Sequence, residues 1–245
     1  MSPEETVHLY VVVPAYNEER RLPGSLQKIF DYLATKPYVS EVIVVDDGSN
    51  DQTPEILNGW RARYPRLRVV RHERNLGKGA SVRTGMLAAS GRYVLFTDTD
   101  LSAPIGEADK LLQAIDAGAD VAFGSRALDR RLIKIHQSAL REFAGKIFNL
   151  LVRLFTGLHF ADTQCGFKAF VRERTRFLFE QQRILGFGFD PEILYLAQRR
   201  KLVLREIPVE WSHDADTRLN VFRDSWRMFL ALMRIRWNAW MGKYS

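Results

Sequence analysis

Two aspartates separated by one residue follow a short apolar run near the middle of the chain. Residues 93–96, Tyr-Val-Leu-Phe, predict a buried strand, and Asp98 and Asp100 come directly after it. In an α/β sheet the carboxyl ends of the strands open onto the crevice that binds ligands, and an extended chain would place both carboxylates on one face. Hard oxygen ligands of this kind suit Mg²⁺ or Mn²⁺, which usually hold a phosphate as well. For an isolated Asp-x-Asp sequence, a pair of solvated turn residues is the alternative.

Two earlier loops carry polar side chains that suit a nucleotide. The loop after the first predicted strand contains Tyr16, which can pack near a base or ribose, and Glu18, which can accept hydrogen bonds from either. The loop after the second predicted strand contains Asp46 and Asp47, and carboxylates at a strand end suit a ribose hydroxyl or a pyrimidine N–H. Each loop alone is also typical of an ordinary turn. We expect both loops and the Asp98 loop to open onto one edge of the sheet.

Strands and helices alternate through the first part of the chain. The apolar runs predict strands at 9–13, 41–45, 67–70, 93–96 and 121–123, and helical spacing predicts helices at 25–34, from 53 onward and at 77–89. Pro14 is expected to end the first strand. The alternation predicts an α/β fold with a mostly parallel sheet flanked by helices. Since no repeat or long linker divides the chain, a single domain over residues 1–245 is the simplest organisation.

The chain carries an excess of positive charge. Its 245 residues include 36 Lys and Arg against 29 Asp and Glu, a formal net charge of +7. Such a surface attracts nucleic acid, a phosphate-bearing substrate or an acidic membrane surface. Because the sequence shows no zinc spacing, basic-zipper heptads or RNA-recognition motif, a nucleic-acid partner is not expected. Basic residues of the second half are interspersed with Trp, Phe, Leu and Ile, which favours a membrane surface.

Cysteine content and hydropathy bound the cellular setting. The single cysteine, Cys165, excludes an internal disulfide framework and fits a reducing compartment, and packing is its expected role. The sequence shows no N-terminal signal segment and no apolar run near the roughly 18 residues that span a bilayer. The sequence therefore predicts neither an evident secretion signal nor a transmembrane helix.

Two segments of the second half predict amphipathic helices with broad apolar faces, at residues 138–155 and 224–240. On the second helix Arg223, Arg227 and Arg234 line a seam beside one broad, aromatic-rich face made by Trp226, Phe229, Leu230, Met233, Trp237 and Trp240. Such helices suit a membrane interface, with Trp and Arg at headgroup depth. Packing between two protein elements, or against a second copy of the chain in a homodimer, is the alternative.

The order of these segments, together with Asn-Leu-Gly-Lys-Gly at 75–79, resembles the inverting family 2 glycosyltransferases of the GT-A fold over nearly the whole chain. Three more segments carry the resemblance: Gly-Ser-Arg at 124–126, Asp-Thr-Gln-Cys-Gly-Phe-Lys at 162–168 and Ile-Pro-Val-Glu-Trp at 207–211. The resemblance is closest to the polyprenyl-phosphate glycosyltransferases, which include dolichyl-phosphate glucosyltransferases and dolichyl-phosphate mannose synthases. Residues 162–168 look more like the glucosyl branch.

The resemblance implies a role for each matching residue. Asp98 and Asp100 would bind Mg²⁺ or Mn²⁺ at the diphosphate of a nucleotide sugar, and Arg126 would lie near the acceptor phosphate. The mannose synthases carry a Gln where this chain has Ser102, so the third ligand is a protein group or a water. The donor itself would be bound, beside these two aspartates, by Pro14, Ala15, Tyr16, Glu18, Asp46, Asp47, Lys78, Thr99 and Arg218.

The implied reaction moves a hexose, most simply glucose from UDP-glucose, onto dolichyl or undecaprenyl phosphate at the cytoplasmic face of a membrane. Residues up to about 130 would bind the nucleotide sugar, and residues from about 131 would bind the acceptor and the membrane. The alternatives are a donor such as GDP-mannose, a hydroxyl acceptor, or a non-catalytic nucleotide-sugar-binding protein.

The charges of the two substrates set the catalytic problem. A polyprenyl phosphate is already an anion, so its oxygen needs little general-base help, whereas a hydroxyl acceptor would require a base. Lys78, Arg126 and Arg218 would offset the repulsion between two phosphate-bearing substrates. Asp190 is expected near the sugar, as the cap of a helix that begins at Pro191, or in both roles.

Overall fold

A seven-stranded sheet forms the centre of the protein, for which a computed structural model describes residues 7–135, 139–213 and 221–244. The strands in chain order are β1 (Leu9–Ala15), β2 (Ser40–Asp46), β3 (Leu67–Arg71), β4 (Tyr93–Thr97), β5 (Val121–Ser125), β6 (Ile133–Ile135), β7 (Phe167–Val171), β8 (Leu204–Pro208) and β9 (Trp211–Ser212). The sheet has the order β3-β2-β1-β4-β7-β5-β8, while β6 pairs with β9 separately. All pairings are parallel except those of β7, which is antiparallel to β4 and β5.

Helices cover both faces of this sheet. They are α1 (Leu22–Ala34), α2 (Thr53–Arg63), α3 (Lys78–Ala88), α4 (Ala108–Asp116), α5 (Ala139–Thr156), α6 (Arg172–Gln181), α7 (Phe189–Arg199) and α8 (Val221–Trp240). Buried residues of α1, α2 and α4 belong to one apolar core, and those of α3 and α5 to α8 belong to a second. The predicted α/β fold with a mostly parallel sheet is confirmed.

Proline 14 does not end β1, which continues to Ala15 beside β2. The register with β4 stops at Val12, and the carbonyl oxygen of Pro14 accepts a hydrogen bond from Thr99 Oγ1 at 2.6 Å. A residue without an N–H is tolerated there because strand pairing on that side has already ended. The prediction that Pro14 ends the strand is therefore wrong by two residues.

Strand β7 was not predicted from the sequence. Its five residues, Phe-Lys-Ala-Phe-Val, place Lys168 in the middle of the sheet, where it pairs with Phe96 and Phe123. A fully buried lysine interrupts the apolar run that identifies a core strand, and its charge is compensated by a residue distant in sequence.

Helices α5 and α8 pack against each other and each leaves large apolar side chains in solvent. Phe155 of α5 meets Phe229 of α8 edge to face, with ring centroids 5.8 Å apart. On α8, Leu232 and Ile235 are buried, whereas Trp240 is 77% exposed. Over the described parts of both helices, the exposed apolar side chains are Ile147, Leu150, Leu154, Trp226, Leu230, Met233, Trp237 and Trp240, which we name the apolar face. Among the described residues, no helix is long and apolar enough to cross a membrane.

Candidate active site

The loops that follow β1, β2 and β4 are joined at the carboxyl edge of the sheet. The backbone N–H of Asn17 donates to Ser49 Oγ at 2.9 Å, and that of Glu18 donates to Thr53 Oγ1 at 2.8 Å. Thr99, in the loop after β4, connects this third loop to β1 through its hydrogen bond to the carbonyl oxygen of Pro14. The expectation that these loops share one edge is confirmed.

Asp98 forms an ion pair at the end of β4. Its Oδ1 lies 2.6 Å from the Nζ of Lys78, the first residue of α3. Burial opposes the charge on Lys78, but the carboxylates of Asp98 and Asp190 outweigh burial and raise the pKa of the amino group. A Cβ on Gly166 would lie 2.0 Å from Asp98 Oδ2, so only glycine leaves room for the carboxylate.

Asp100 lies beside this pair, and a turn through Leu101, with φ of 47°, follows it. Its Oδ1 accepts a hydrogen bond from the backbone N–H of Ser102 at 2.9 Å. Burial and the neighbouring charge of Asp98 raise the pKa of Asp100. A cavity of about 440 Å³ opens next to Asp100, lined also by Lys28 and parts of 101–106 and 212–213.

The donor set fits a hard divalent cation. Two half-buried carboxylates stand at a strand end, with space kept for Asp98 by Gly166. In the described parts of the chain, no group of three or more His, Cys, Asp or Glu side chains is arranged to hold a metal ion. Mg²⁺ in proteins is commonly held by one or two carboxylates together with phosphate oxygens and water, so Asp98 and Asp100 suffice as its protein ligands.

Arg126, directly after β5, is held by Asp162. The guanidinium donates through Nε to Oδ2 at 2.6 Å and through Nη2 to Oδ1 at 2.8 Å, and its carbon lies 5.5 Å from the ring centroid of Trp211. Burial by itself would raise the pKa of Asp162, but the charge and hydrogen bonds of Arg126 lower it to about 2. A phosphate that binds Arg126 must share its guanidinium with Asp162.

A second ion pair is buried beneath the site. Lys168 Nζ lies 2.6 Å from Asp190 Oδ1 and donates to the carbonyl oxygen of Cys165, also at 2.6 Å. Helix α7 begins at Phe189, with Gly188 at its N-cap position and no side-chain cap, so the capping role expected for Asp190 is wrong. Burial raises the pKa of Asp190, against the opposing charges of Lys168 and Lys78.

The carboxylate of Asp47 shapes the segment that leads to Lys78. Its Oδ1 accepts from the N–H of Leu76 at 3.0 Å, and its Oδ2 accepts from the N–H of Gly77 at 2.8 Å. The ring nitrogen Nδ1 of His72 lies 2.7 Å from Oδ1. Asp46 instead stabilises its own turn, accepting from the N–H of Ser49 at 2.9 Å.

Comparison with known proteins gives the family. The sequence model of glycosyl transferase family 2 matches residues 10–177, which is more than half of the chain. The chain belongs to glycosyl transferase family 2.

Relatives and a solved structure agree with this assignment. The chain is 37% identical over 231 residues to a dolichyl-phosphate beta-glucosyltransferase of Trichomonas vaginalis, covering 90% of this chain and 68% of that protein. It is 37% identical over 253 residues to the dolichyl-phosphate beta-glucosyltransferase of Drosophila melanogaster, covering 96% of this chain and 77% of that protein. The same fold occurs in glucosyl-3-phosphoglycerate synthase from Mycobacterium tuberculosis, which was solved with Mn²⁺, UDP-glucose and phosphoglyceric acid. The two structures superpose with a TM-score of 0.65 at 20% sequence identity, and the match covers 94% of this chain and 80% of that chain. The GT-A fold and the glycosyltransferase activity predicted from the sequence are confirmed.

The structure of this family 2 glycosyltransferase brings most of the predicted site residues to one edge. Tyr16 is exposed there, while the carboxylate of Glu18 is paired with Arg21 at 2.6 Å. Arg218 lies in 214–220, outside the described residues. The other predicted residues at or beneath this edge are Pro14, Ala15, Asp46, Asp47, Lys78, Asp98, Thr99, Asp100, Arg126 and Asp190.

Sequence reasoning missed His72, Asp162 and Lys168 as partners of the site. His72 directly follows β3, just as Asp47 follows β2, so a polar residue at a strand end was an available signal. Lys168 within an otherwise apolar run was a second signal. The pairing of Asp162 with Arg126, over 36 residues, leaves no local pattern in the sequence.

Proposed function

We propose that this protein transfers glucose from UDP-glucose to a polyprenyl phosphate, dolichyl or undecaprenyl phosphate, at the cytoplasmic face of a membrane. The observation that carries the proposal is the Lys78–Asp98 ion pair, which stands beside Asp100 at the strand edge where phosphate-bearing ligands bind. Relatives named dolichyl-phosphate beta-glucosyltransferases support the sugar and the acceptor.

The donor nucleotide would lie across the loops after β1 and β2. Tyr16 would pack against the base or ribose, and Asp47 would fix the turn beneath it. Because Asp47 also binds the N–H groups of Leu76 and Gly77, the same carboxylate orients the start of α3. The dipole of that helix and the charge of Lys78 both favour the donor diphosphate at this point.

Asp98 and Asp100 would hold Mg²⁺ or Mn²⁺ against the diphosphate. When bound, the ion would neutralise charge on the departing nucleoside diphosphate. Lys78 supplies positive charge in the same place, since its amino group can exchange Asp98 Oδ1 for a phosphate oxygen.

The transfer itself is a displacement at the anomeric carbon. A phosphate oxygen of the acceptor forms the new bond, the bond from the same carbon to the diphosphate oxygen breaks, and UDP leaves with the electron pair. Since UDP-glucose is α-linked, one displacement gives a β-linked product, in agreement with the relatives' names. The acceptor phosphate is already ionised, so this step requires no base, and a buried Asp190 paired with Lys168 is compatible with it.

Arg126 would bind the acceptor phosphate. Its charge is fixed in position by Asp162, and its side chain is still 29% exposed. The fork of donors on a guanidinium suits the oxygens of a phosphate, which a lysine would bind as a point charge.

The apolar face supports the membrane part of the proposal. Side chains of α5 and α8 form it together, and exposed Arg227 and Arg234 lie along α8. Exposed Trp and Leu next to arginine favour the headgroup region of a bilayer. Contact with a second copy of the chain would cover the same residues, so the oligomeric state in the absence of lipid is the control.

Nucleotide binding tests the donor. Calorimetry with UDP and with GDP, each in Mg²⁺, should show UDP binding at least about tenfold more tightly, a difference of about 1.4 kcal/mol. Tighter binding of GDP would contradict the UDP-glucose proposal and favour a mannosyl donor.

A further inference from the structure

The segment between α6 and α7 exposes two large apolar side chains from a backbone that is firmly held. Leu185 is 42% exposed and Phe187 is 46% exposed. The carbonyl oxygen of Leu185 accepts from the N–H of Ala80 at 3.0 Å, and the amide of Gln182 donates to the carbonyl oxygen of Gly79 at 2.9 Å. The exposure of these side chains is therefore a fixed feature of the surface.

One end of this segment lies against Lys78, which supplies positive charge to the site. A Cβ on Gly77 would lie 2.6 Å from the carbonyl oxygen of Leu185, and one on Gly79 would lie 2.8 Å from that of Ile184. Both glycines flank Lys78, so no larger residue at either place allows this approach. As a result the ring centroid of Phe187 lies 5.9 Å from Lys78 Nζ.

The other end of the segment lies against α8. A Cβ on Gly188 would lie 2.4 Å from the Cβ of Ala231, so glycine permits direct contact with the helix. Ala231 is the immediate neighbour of Leu230, which belongs to the apolar face. Leu185 and Phe187 thus occupy the surface between Lys78 and the apolar face.

We infer that Leu185 and Phe187 bind the first isoprenyl units of the acceptor, next to its phosphate. This inference rests on the proposed function, because it requires a prenyl phosphate as acceptor. The acceptor phosphate must come to Arg126, next to the donor diphosphate at Lys78, while the hydrocarbon chain must leave toward the lipid. Phe187 offers apolar surface at the point where the acceptor's hydrocarbon begins. Contact between the Phe187 ring and the first isoprenyl units removes that surface from water.

The test compares KM for two acceptors in the same detergent micelles: a long polyprenyl phosphate and a prenyl phosphate of two isoprene units. Phe187→Ser should raise KM for both about tenfold, because the units next to the phosphate are common to both, while Phe187→Leu should keep most of the affinity. Leu185→Ser should have a smaller effect in the same direction. UDP affinity by calorimetry should stay unchanged in all three variants.

Val203→Ser is the matched control. Val203 is 39% exposed and directly precedes β8, at the edge of the sheet opposite the site. The KM values of the Val203→Ser enzyme should therefore equal those of the wild type. Cosedimentation with anionic vesicles distinguishes binding of the acceptor's isoprenyl units from anchoring of the protein in the membrane. The Phe187→Ser protein should sediment with the vesicles like the wild type.

Three results would overturn the inference. An unchanged KM for both acceptors in Phe187→Ser would show that Phe187 does not bind the acceptor. A loss of UDP affinity as large as the rise in KM would assign Phe187 to the donor site. A loss of vesicle binding as large as the rise in KM would make Phe187 a membrane anchor. A wild-type protein that transfers glucose to neither prenyl phosphate would refute the proposed function itself, and the subsite with it.

Discussion

The amino group of Lys78 and the carboxylate of Asp98 lie 2.6 Å apart, one at the start of α3 and the other at the end of β4. Each is placed by contacts of its own. Asp47 fixes the backbone before Lys78, and the backbone N–H of Asp98 donates to the carbonyl oxygen of Gly166 at 3.1 Å. The pair therefore brings the loops after β2, β4 and α5 to one point, where the diphosphate of a donor would bind.

Removing the second aspartate should abolish transfer without unfolding the protein. We expect Asp100→Ala to lower kcat by about 10² or more, because the proposed ion would lose one of its two carboxylates. EDTA should have the same effect on the wild type, and added Mg²⁺ or Mn²⁺ should restore activity. Asp31→Ala, at an exposed position of α1, is the control; an active Asp100→Ala enzyme or full activity in EDTA would disprove the metal site.

Arg126 should act on the acceptor and not on the donor. Arg126→Lys keeps the charge but loses the fork shared between Asp162 and a phosphate, so KM for polyprenyl phosphate should rise about tenfold. Calorimetry should give a UDP affinity equal to that of the wild type. Arg131→Lys, at a highly exposed position, serves as control, and an equal loss of UDP affinity in Arg126→Lys would move Arg126 to the donor side.

Asp162 should stabilise the folded state in a pH-dependent manner. Its pKa is about 2 in the folded protein against 3.8 for the ordinary group, so its contribution is complete above pH 4 and is lost as the pH falls toward 2. Asp162→Asn should cost about 2 kcal/mol of unfolding free energy at pH 7, and the difference from the wild type should shrink below pH 4. Urea unfolding at pH 7 and pH 3 measures both; a difference that stays constant with pH would contradict the ion pair as its cause.

Vesicle binding should depend on the aromatic residues more than on charge. Burying a large apolar side chain contributes on the order of 2 kcal/mol, whereas an arginine near an anionic surface contributes about 1 kcal/mol. Replacing Trp226, Trp237 and Trp240 by Ser should therefore weaken cosedimentation more than reversing the charge of Arg227 and Arg234. Binding of the wild type should persist in high salt. Recovery of the wild type in the supernatant at low salt would instead assign the apolar face to protein contacts.

Strands β1 to β5 and the edge that carries the site were predictable because each of these strands is an apolar run with polar residues in the loop after it. That pattern located Asp47 after β2 and Asp98 after β4. The positions of Pro14 and Lys168 were not predictable in the same way, because each depends on a neighbour supplied by the tertiary fold. Pro14 is accommodated where pairing with β4 ends, and Lys168 is buried because Asp190 compensates its charge.

The helices show a similar division. The apolar faces of α5 and α8 were visible from helical spacing, but spacing cannot tell which face the core will cover. The structure covers Leu232 and Ile235 and leaves Trp226 and Trp237 exposed. The role expected for Asp190 at a helix cap failed because α7 begins at Phe189, before Asp190, and the carboxylate instead binds Lys168, 22 residues away in sequence.

Transfer of labelled sugar tests the central claim most directly. The protein is incubated with Mg²⁺, a polyprenyl phosphate and, in separate reactions, radiolabelled UDP-glucose or GDP-mannose, and the product is extracted into organic solvent. Label from UDP-glucose should enter the organic phase with the wild type, and it should stay in the aqueous phase with Asp100→Ala or when the free polyprenol replaces its phosphate. Label that enters the organic phase only from GDP-mannose, or glucose that passes only to a water-soluble hydroxyl acceptor, would contradict the account.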